Sequence, residues 1–413
     1  MSRLHLSDVS AKISAMRILT VDIGTGTQDI FLYDSHLDLE NGFKLVLPSP
    51  TMMVHRRLKE ATRRGDPVLL RGVTMGGGPS GWAAEAHLKA GCRLFATSAA
   101  ARTLDDDLER VAAMGVILLS DDEAARLPDS VVTIELRDFD FPAIAGAFEL
   151  FGVSLRGLEA VSVAVFDHGN APPGYSDRQF RFDYLDARIR KKNSLSAFAY
   201  RAADIPPIMT RLQAVADSAQ GMDAPLVVMD TAPAAVLGAT FDRKVAACQR
   251  VLIANVGNFH TLAFRLGHGK IEGVFEHHTG LLDLLKLEAY LRSLAAGSLQ
   301  HAEVFADHGH GALVYESEPL SLGVGDFDVA VTGPRRSIFP ASGNSGYLIP
   351  VGIDHRDRHS LIPYFPTPFG DMMITGCFGL LAATADVLPE LGDTIRSSLR
   401  GERGAGVAPW DAD

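Results

Sequence analysis

The chain contains two strand–turn–strand units of the same layout, and no other feature restricts its fold as strongly. The first is LTVDIGTGTQDIFLYD, in which an apolar strand ends at Asp22 and a Gly-x-Gly turn leads into a second apolar strand. The second is VLIANVGNFHTLAF, which repeats the layout with Asn255 and Gly257. Short glycine-containing turns between strand-like segments are typical of β-hairpins. The sequence therefore predicts two hairpins of similar construction, far apart in the chain.

The first hairpin carries the residue types of an anion-binding turn. Gly24 and Gly26 allow the backbone to approach a phosphate closely, and successive N–H groups of such a turn form a concave anion site. Thr25 and Thr27 add hydroxyl donors. Asp22 is predicted to hold Mg²⁺ through water, because Mg²⁺ keeps most of its hydration shell. The alternative is a tight hairpin in which Asp22 only forms the turn.

The second hairpin offers a comparable set of donors. Gly257 provides the turn, and Asn258, His260 and Thr261 supply side-chain donors. If the two hairpins face each other from separate lobes, they can hold one polyphosphate from both sides.

The segments around the hairpins alternate between apolar strands and helical patterns. This alternation predicts a layered α/β fold. In the second half, a helix is predicted at Leu281–Ala296. Its leucines are predicted to be core residues, namely Leu282, Leu284, Leu285 and Leu287.

Composition argues against several classes of function. The net charge is −11, from 39 basic and 50 acidic side chains, and no basic block is present, so a nucleic-acid partner is not expected. No apolar stretch reaches the roughly 18 residues of a membrane span, so no membrane interaction is expected. The three cysteines are scattered and form no CxxC pair. This usage predicts a cytoplasmic protein without disulfides or a cysteine-ligated cluster.

The sequence resembles the superfamily of actin, DnaK-type chaperones and sugar kinases, in which two lobes enclose a nucleotide. The order of the matching segments is the specific part of the resemblance. Asp22–Thr27 resembles the first phosphate motif, and Met229–Lys244 resembles the connecting helix that follows it. Asn255–Thr261 resembles the second phosphate motif. Val329–Arg336 resembles the adenosine motif, and Phe369–Ala383 resembles the second connecting helix.

This resemblance implies an α/β fold of two ribonuclease-H-like, actin-like lobes with a nucleotide cleft between them. The first lobe would span residues 17–245, the second 246–390, and residues 391–413 would form a flexible tail. The cofactors implied are ATP and Mg²⁺, with the phosphates between the hairpins and the adenine near Gly333. The partners implied are the nucleotide and an unknown small-molecule substrate or partner protein.

More narrowly, the chain is similar to a family of unknown function whose members are sometimes labelled pyruvate formate-lyase activating enzymes. Such activases use a CxxxCxxC cluster motif, which this sequence lacks. The chain also departs from the superfamily pattern at two positions. Asn255 stands where the second phosphate motif usually opens with Asp, which removes a carboxylate that could act as a base. Pro334 follows Gly333 where a second glycine is usual.

Asp167 and His260 are the candidate catalytic residues. Asp167 follows a predicted strand, in a part of the first lobe where phosphotransferases of the superfamily often carry the base. An Asp at this place is also ordinary turn chemistry. His260 can act as a base near neutral pH. Arg178 and Arg181 could bind an anionic substrate or form ion pairs within the protein.

Four further histidines stand near carboxylates in the second half of the chain. Imidazole and carboxylate groups together could bind zinc or another transition metal. Their spacing matches no standard site, and neighbouring residues of a strand point to opposite faces. We therefore favour structural or cleft-lining roles for His277, His278, His308 and His310.

The sequence supports three hypotheses about function. The first is an ATP-dependent enzyme that transfers a phosphoryl group to a small molecule or hydrolyses ATP. The second is a non-hydrolysing nucleotide sensor, scaffold or activator of a partner enzyme, which Asn255 and Pro334 favour. The third is a histidine-dependent metallohydrolase.

Overall fold

The computed structural model of the chain describes residues 15–340, 360–402 and 410. The strands are β1 Arg17–Ile23, β2 Thr27–Asp34, β3 Phe43–Pro48, β4 Val68–Gly72, β5 Leu94–Thr97, β6 Ile117–Leu119, β7 Val132–Leu136, β8 Ala160–Val165, β9 Ala199–Arg201, β10 Leu226–Asp230, β11 Arg250–Val256, β12 His260–Gly267, β13 Lys270–His278, β14 Gly311–Val314, β15 Val329–Thr332 and β16 Pro363–Tyr364. The helices are α1 Pro50–Arg64, α2 Pro79–Lys89, α3 Ser98–Ala101, α4 Leu108–Ala113, α5 Asp121–Ala124, α6 Phe141–Glu149, α7 Asp177–Lys191, α8 Thr210–Ser218, α9 Thr231–Ala239, α10 Arg243–Ala246, α11 Leu284–Ala295, α12 His301–Ala306, α13 Thr375–Val387 and α14 Pro389–Leu399.

Two sheets share one strand arrangement. In the first, β1, β2 and β3 form an antiparallel meander, β8 runs parallel to β1 and β10 parallel to β8, giving the order β3-β2-β1-β8-β10-β9. In the second, β11, β12 and β13 form the meander, β15 runs parallel to β11 and β16 parallel to β15, giving the order β14-β13-β12-β11-β15-β16. A three-stranded meander continued by parallel strands is the ribonuclease-H-like arrangement. The predicted fold class is confirmed, and each predicted hairpin opens one of the two sheets.

A third sheet of four parallel strands, in the order β6-β5-β4-β7, lies between β3 and β8 in the chain. It has its own core, in which Leu58 and Val111 from helices pack with Val68, Leu94 and Ile134 from strands. The alternation of apolar strands and helical patterns in the sequence does not separate this sheet from the first. The reason is that buried parallel strands read as continuous apolar runs whichever sheet they join.

Helices α9 and α13 cross at very short range. A Cβ atom on Gly238 would overlap the backbone carbonyl of Thr375, and one on Gly379 would overlap that of Ala234. The absence of a side chain at these two positions therefore allows the helices to touch through their backbones. Helix α13 also packs on the first sheet, where the rings of Phe31 and Phe378 lie 5.3 Å apart. The chain thus returns from the second sheet to the first.

Helix α14 occupies the start of the segment predicted to be a flexible tail. Residues up to Leu399 are helical because Ile395 and Leu399 are buried in the same core as α13, and the hydroxyls of Tyr33 and Ser398 lie 2.8 Å apart in a hydrogen bond. The apolar positions that anchor the helix are few among polar neighbours, which is why the sequence suggested fraying. Residues 403–409 and 411–413 of the predicted tail lie outside the described residues.

One predicted core residue is misplaced. Leu285 is 78% exposed, whereas Leu287 is fully buried and Leu282 is buried. The reason is that α11 begins at Leu284, capped by Asp283, so Leu285 lies on its solvent face. Among the described residues, we find no helix whose length and apolar character would allow it to cross a membrane.

Candidate functional site

A cavity of about 1720 Å³ contains most of the residues singled out from the sequence. Its walls come from both ribonuclease-H-like sheets and from the loop before α2. Gly24, Thr25, Gly26 and Thr27 line it on one side, and Asn255, Gly257 and Asn258 line it on the other, near Gly333. The structure therefore brings together residues that lie more than two hundred positions apart in the chain.

The two glycine turns lie next to each other across the cavity. A Cβ atom on Gly26 would lie 3.2 Å from Nδ2 of Asn258. The first turn is closed by a bond from the Gly24 N–H to the Thr27 carbonyl of 2.9 Å, and the second by a bond from the Gly257 N–H to the His260 carbonyl of 2.9 Å. The turns thus have equivalent backbone closure and face a common space.

Two further predicted cofactor-binding residues, Thr261 of the second hairpin and Gly333 of the adenosine motif, have different surroundings. Thr261 is fully buried, and its hydroxyl lies 2.9 Å from that of Thr279. Gly333 has φ +96°, and a Cβ atom there would overlap the Val256 carbonyl and approach Oδ1 of Asn255 at 2.7 Å. Glycine is therefore required at position 333. The binding roles of both residues stay predictions, and the inward hydroxyl of Thr261 favours a structural one.

A pair of carboxylates forms the floor beneath the first turn. Asp22 and Asp29 are directly opposite each other across β1 and β2. Thr231 donates a 2.5 Å hydrogen bond to Oδ1 of Asp22, and Gly376 leaves space that a Cβ atom would take from Oδ2. Oδ1 of Asp29 is buried and has no hydrogen-bond partner among the described residues.

Burial and mutual proximity change the acidity of this pair. Burial raises the pKa of Asp22 to about 6, against the hydrogen bond from Thr231. Burial and the neighbouring charge of Asp22 raise the pKa of Asp29 to about 7. Sequence reasoning missed Asp29; the available signal was a charged residue inside an otherwise apolar strand, opposite Asp22 in the hairpin register.

Asp167 lies at the cavity wall with its carboxylate fully engaged. Oδ1 accepts a hydrogen bond from the N–H of Gly169 at 2.9 Å, and Oδ2 accepts from the N–H groups of Arg211 and Leu212 at 3.0 and 2.9 Å. Burial raises the pKa of Asp167, and these backbone bonds oppose the shift. The carboxylate ties the loop after β8 to the first turn of α8. Its predicted role as a base remains a prediction, but this geometry favours a positioning role.

Four histidines meet at the end of the cavity. One ring nitrogen from each of His168, His260 and His310 lies within 4.8 Å of the others. The ring of His278 is centred 5.1 Å from that of His260 and 4.7 Å from that of His310. Of the four histidines weighed together from the sequence, two therefore join this group. The other two do not, since His277 is buried against Asp307 at 3.1 Å and His308 is exposed.

A buried ionic network supports the histidines from behind. Oε1 of Glu276 lies 3.0 Å from Nδ1 of His260, and its other oxygen accepts a 3.1 Å hydrogen bond from Nε of Arg181. Arg181 also pairs with Asp230, and all three charged side chains are buried. Burial alone would raise the pKa of Glu276, but the Arg181 guanidinium and the nearby histidines His310 and His260 hold it well below its usual range.

The two arginines weighed as anion-binding residues are engaged within the protein. Arg181 belongs to the network just described. Arg178 donates hydrogen bonds to the carbonyls of Phe305 and Gly309 at 3.1 and 2.6 Å and lies 4.2 Å over the Phe305 ring. Arg178 thereby fixes the segment that leads into His310.

Comparison with known proteins gives distant likenesses to solved structures and one family match. No curated protein matches the chain. The structure is similar to an exopolyphosphatase-like protein (8% identity, TM-score 0.22, 71% of this chain and 60% of that one), to a ROK hexokinase from Thermus thermophilus (14%, 0.23, 71% and 65%) and to a carbohydrate kinase from Novosphingobium aromaticivorans (11%, 0.20, 95% and 88%). The chain spans less than two thirds of the length of the first two, and at these scores the likenesses support no inference.

The family match covers most of the chain. A family model described as "Putative pyruvate format-lyase activating enzyme (DUF1786)" matches residues 75–338. This range includes strands β5, β6 and β7 of the third sheet, the second glycine turn and all four clustered histidines. The chain therefore belongs to this family.

Proposed function

We propose that the chain binds ATP with Mg²⁺ in the cavity between the two ribonuclease-H-like sheets and transfers the terminal phosphoryl group to a small molecule. The observation that carries the proposal is the position of the two glycine turns, which face each other across the cavity beside the Asp22–Asp29 pair. Phosphoryl transfer depends mainly on positioning and charge neutralisation, which two such turns and a metal can supply. The proposal includes a cytoplasmic location for the protein, because ATP is available there.

The acidic pair fits a hydrated Mg²⁺ ion. Two adjacent carboxylates repel each other when both are ionised, and a divalent cation removes that repulsion. Oδ1 of Asp29, which has no hydrogen-bond partner in the described part of the chain, and the Oδ2 side of Asp22 offer oxygen acceptors to the water shell of the ion. When bound, Mg²⁺ supplies neutralisation of the phosphate charge.

The remaining roles follow from the positions around the cavity. The turn residues contact the phosphates, and the Asn255–Gly333 contact supports the wall near the adenosine. Binding of the small molecule that accepts the phosphoryl group is assigned to the histidines. Nδ1 of His260 is held by Glu276, so its Nε2 is left to contact a group in the cavity. The phosphate contacts are assigned to Gly24, Thr25, Gly26, Thr27, Gly257 and Asn258.

Asp29→Asn and Asp22→Asn are expected to make nucleotide binding nearly independent of Mg²⁺. In the unchanged protein, Mg²⁺ should strengthen ATP binding at pH 8 and lose this effect towards pH 5.5, since the pKa values of about 6 and 7 mean that protons then occupy the carboxylates. Calorimetric titration with ATP at several Mg²⁺ concentrations and both pH values measures this. An unchanged Mg²⁺ dependence in both variants would remove the pair from the metal site.

The same pair of carboxylates should also make the stability of the metal-free protein decrease as pH rises. The folded-state pKa values are raised above the unfolded value of 3.8, so the pair stabilises the fold at low pH and this contribution is lost as pH rises through 6–7. Asp29→Asn should therefore raise the melting temperature of the metal-free protein at pH 8, by about 1 °C per kcal/mol gained for a chain of 413 residues. At pH 4 the melting temperatures of variant and unchanged protein should nearly coincide.

Asn255→Asp tests whether the protein turns ATP over. Asn255 lies near the end of β11, just before the second turn, where a carboxylate could act as a base toward water near the phosphates. The variant should raise substrate-independent ATP hydrolysis by about tenfold or more, since a general base contributes about 10²–10⁴-fold. Phosphate release is measured for both proteins with and without candidate acceptors. If neither shows turnover while both bind ATP tightly, the protein is a nucleotide sensor and the transferase proposal is lost.

A further inference from the structure

The histidine group at the end of the cavity has the composition of a transition-metal site. We propose that His168, His260 and His310 bind one divalent transition-metal ion, with His278 beside them as a further ligand. The inference goes beyond ATP binding and does not depend on it. It rests on the ring nitrogens of the first three histidines, which lie within 4.8 Å of one another.

The spacing of the nitrogens is close to that of a bound site. Imidazole nitrogens lie about 2.0–2.1 Å from zinc in a tetrahedral site, which places them roughly 3.3 Å from each other. Nitrogens up to 4.8 Å apart therefore reach a common ion after shifts of less than about 1 Å, which side-chain rotation provides. No carboxylate has to be brought in from elsewhere.

The group is built from both halves of the fold. His168 lies in the loop after β8 of the first sheet, whereas His260 begins β12 and His278 ends β13 of the second. His260 and His278 are register partners in the β12–β13 pair, and His310 is fixed by a hydrogen bond from its N–H to the Glu276 carbonyl of 2.9 Å. Sheet pairing thus positions three of the ligands, and the fourth approaches from across the cavity.

A second layer of side chains orients the imidazoles. Ionised Glu276 can only accept hydrogen bonds, so Nδ1 of His260, 3.0 Å from Oε1, carries the proton. Nδ1 of His310 lies 3.6 Å from the same oxygen and is buried without a hydrogen-bond partner among the described residues. A small shift of the His310 ring would let both His260 and His310 donate their Nδ1–H to Glu276. Nε2 of each ring would then offer its lone pair to a metal ion. Metal-binding histidines commonly donate their other N–H to such a carboxylate.

The ligand type selects the metal. Imidazole nitrogen suits zinc, iron, cobalt, nickel and copper, whereas Mg²⁺ and Ca²⁺ require oxygen ligands. The proposed ATP-associated Mg²⁺ site at Asp22 and Asp29 is made of oxygen only, so the two sites differ in metal preference.

The test is metal binding by the whole chain, purified without an affinity tag and stripped with a chelator. Zn²⁺ affinity is measured by competition with a chromophoric chelator, and Co²⁺ binding by its visible spectrum, which reports nitrogen ligation in low-coordinate geometry. We expect one ion per chain, with binding unchanged by a large excess of Mg²⁺. His168→Gln should lower the affinity at least tenfold, and since His168 is exposed in the cavity this variant should fold normally.

Two more variants complete the test. His308→Gln, an exposed histidine outside the group, is the matched control and should bind as the unchanged protein does. Glu276→Gln should weaken Zn²⁺ binding about 10–100-fold and alter the Co²⁺ spectrum, as expected of a positioning residue. Lack of stoichiometric Co²⁺ and Zn²⁺ binding in the unchanged protein, or equal affinity of the His168→Gln and unchanged proteins, would overturn the proposal. Either result leaves the ATP proposal standing, because calorimetry with ATP and Mg²⁺ is independent of it.

Discussion

Glu276→Gln is expected to lower the free energy of unfolding by about 3–5 kcal/mol, because it leaves a buried guanidinium without one of its two carboxylate partners. Arg181 is fully buried between Glu276 and Asp230 and lies on α7, whereas Glu276 lies on β13 of the second sheet. The lost charge therefore weakens the contact between α7 and the second sheet as well as the support of His260. Urea-induced unfolding followed by circular dichroism measures the change.

Glu390→Gln is the matched control for this effect. Glu390 makes a 3.5 Å ion pair with Arg201, and both side chains are about half exposed. Exposed pairs contribute about 0–1 kcal/mol, so this variant should unfold almost as the unchanged protein does. Equal unfolding midpoints for Glu276→Gln and Glu390→Gln would mean that the buried network adds little to the stability of the fold.

Gly26→Val is expected to weaken ATP binding by at least tenfold, or about 1.4 kcal/mol, while the fold is retained. Even a Cβ atom at this position would lie 3.2 Å from Nδ2 of Asn258, and the branched valine side chain extends further into the space between the turns. That space is where the proposal places the phosphates. Isothermal calorimetry with ATP and Mg²⁺ measures the loss, and circular dichroism checks the fold.

Gly146→Val controls for the substitution itself. Gly146 is an exposed position in α6, where an added Cβ atom would meet no atom of the described residues within 4 Å. Its ATP affinity should equal that of the unchanged protein. If Gly26→Val also binds ATP with unchanged affinity, the first turn does not hold the phosphates and the proposed function fails at its main observation.

The sequence alone determined the elements that depend on neighbours in the chain. Both hairpins follow from local signals, an apolar run, a glycine turn and a second apolar run, which fix strand direction and pairing within a few residues. The turn sets the register of β1 and β2, and this register places Asp22 opposite Asp29. The pair could therefore have been predicted from the sequence of the hairpin. The crossing of α9 and α13 was partly visible too, since small residues mark helices whose backbones touch.

Tertiary structure decided which distant residues share a site. His168 and His310 are separated by more than one hundred positions, and each has ordinary local surroundings, so no spacing rule connects them. The return of α13 and α14 to the first sheet depends on burial of Phe378 and Ile395 in a core that chain order does not reveal. Whether a polar side chain is free or engaged also depends on the whole fold. The sequence suggested that the Asp167 carboxylate was available to act as a base. In the structure it accepts hydrogen bonds from three backbone N–H groups, two of which lie more than forty residues away in the sequence. Local sequence sets strands and turns because those interactions are short-range, whereas the site depends on contacts that exist only when both sheets are packed.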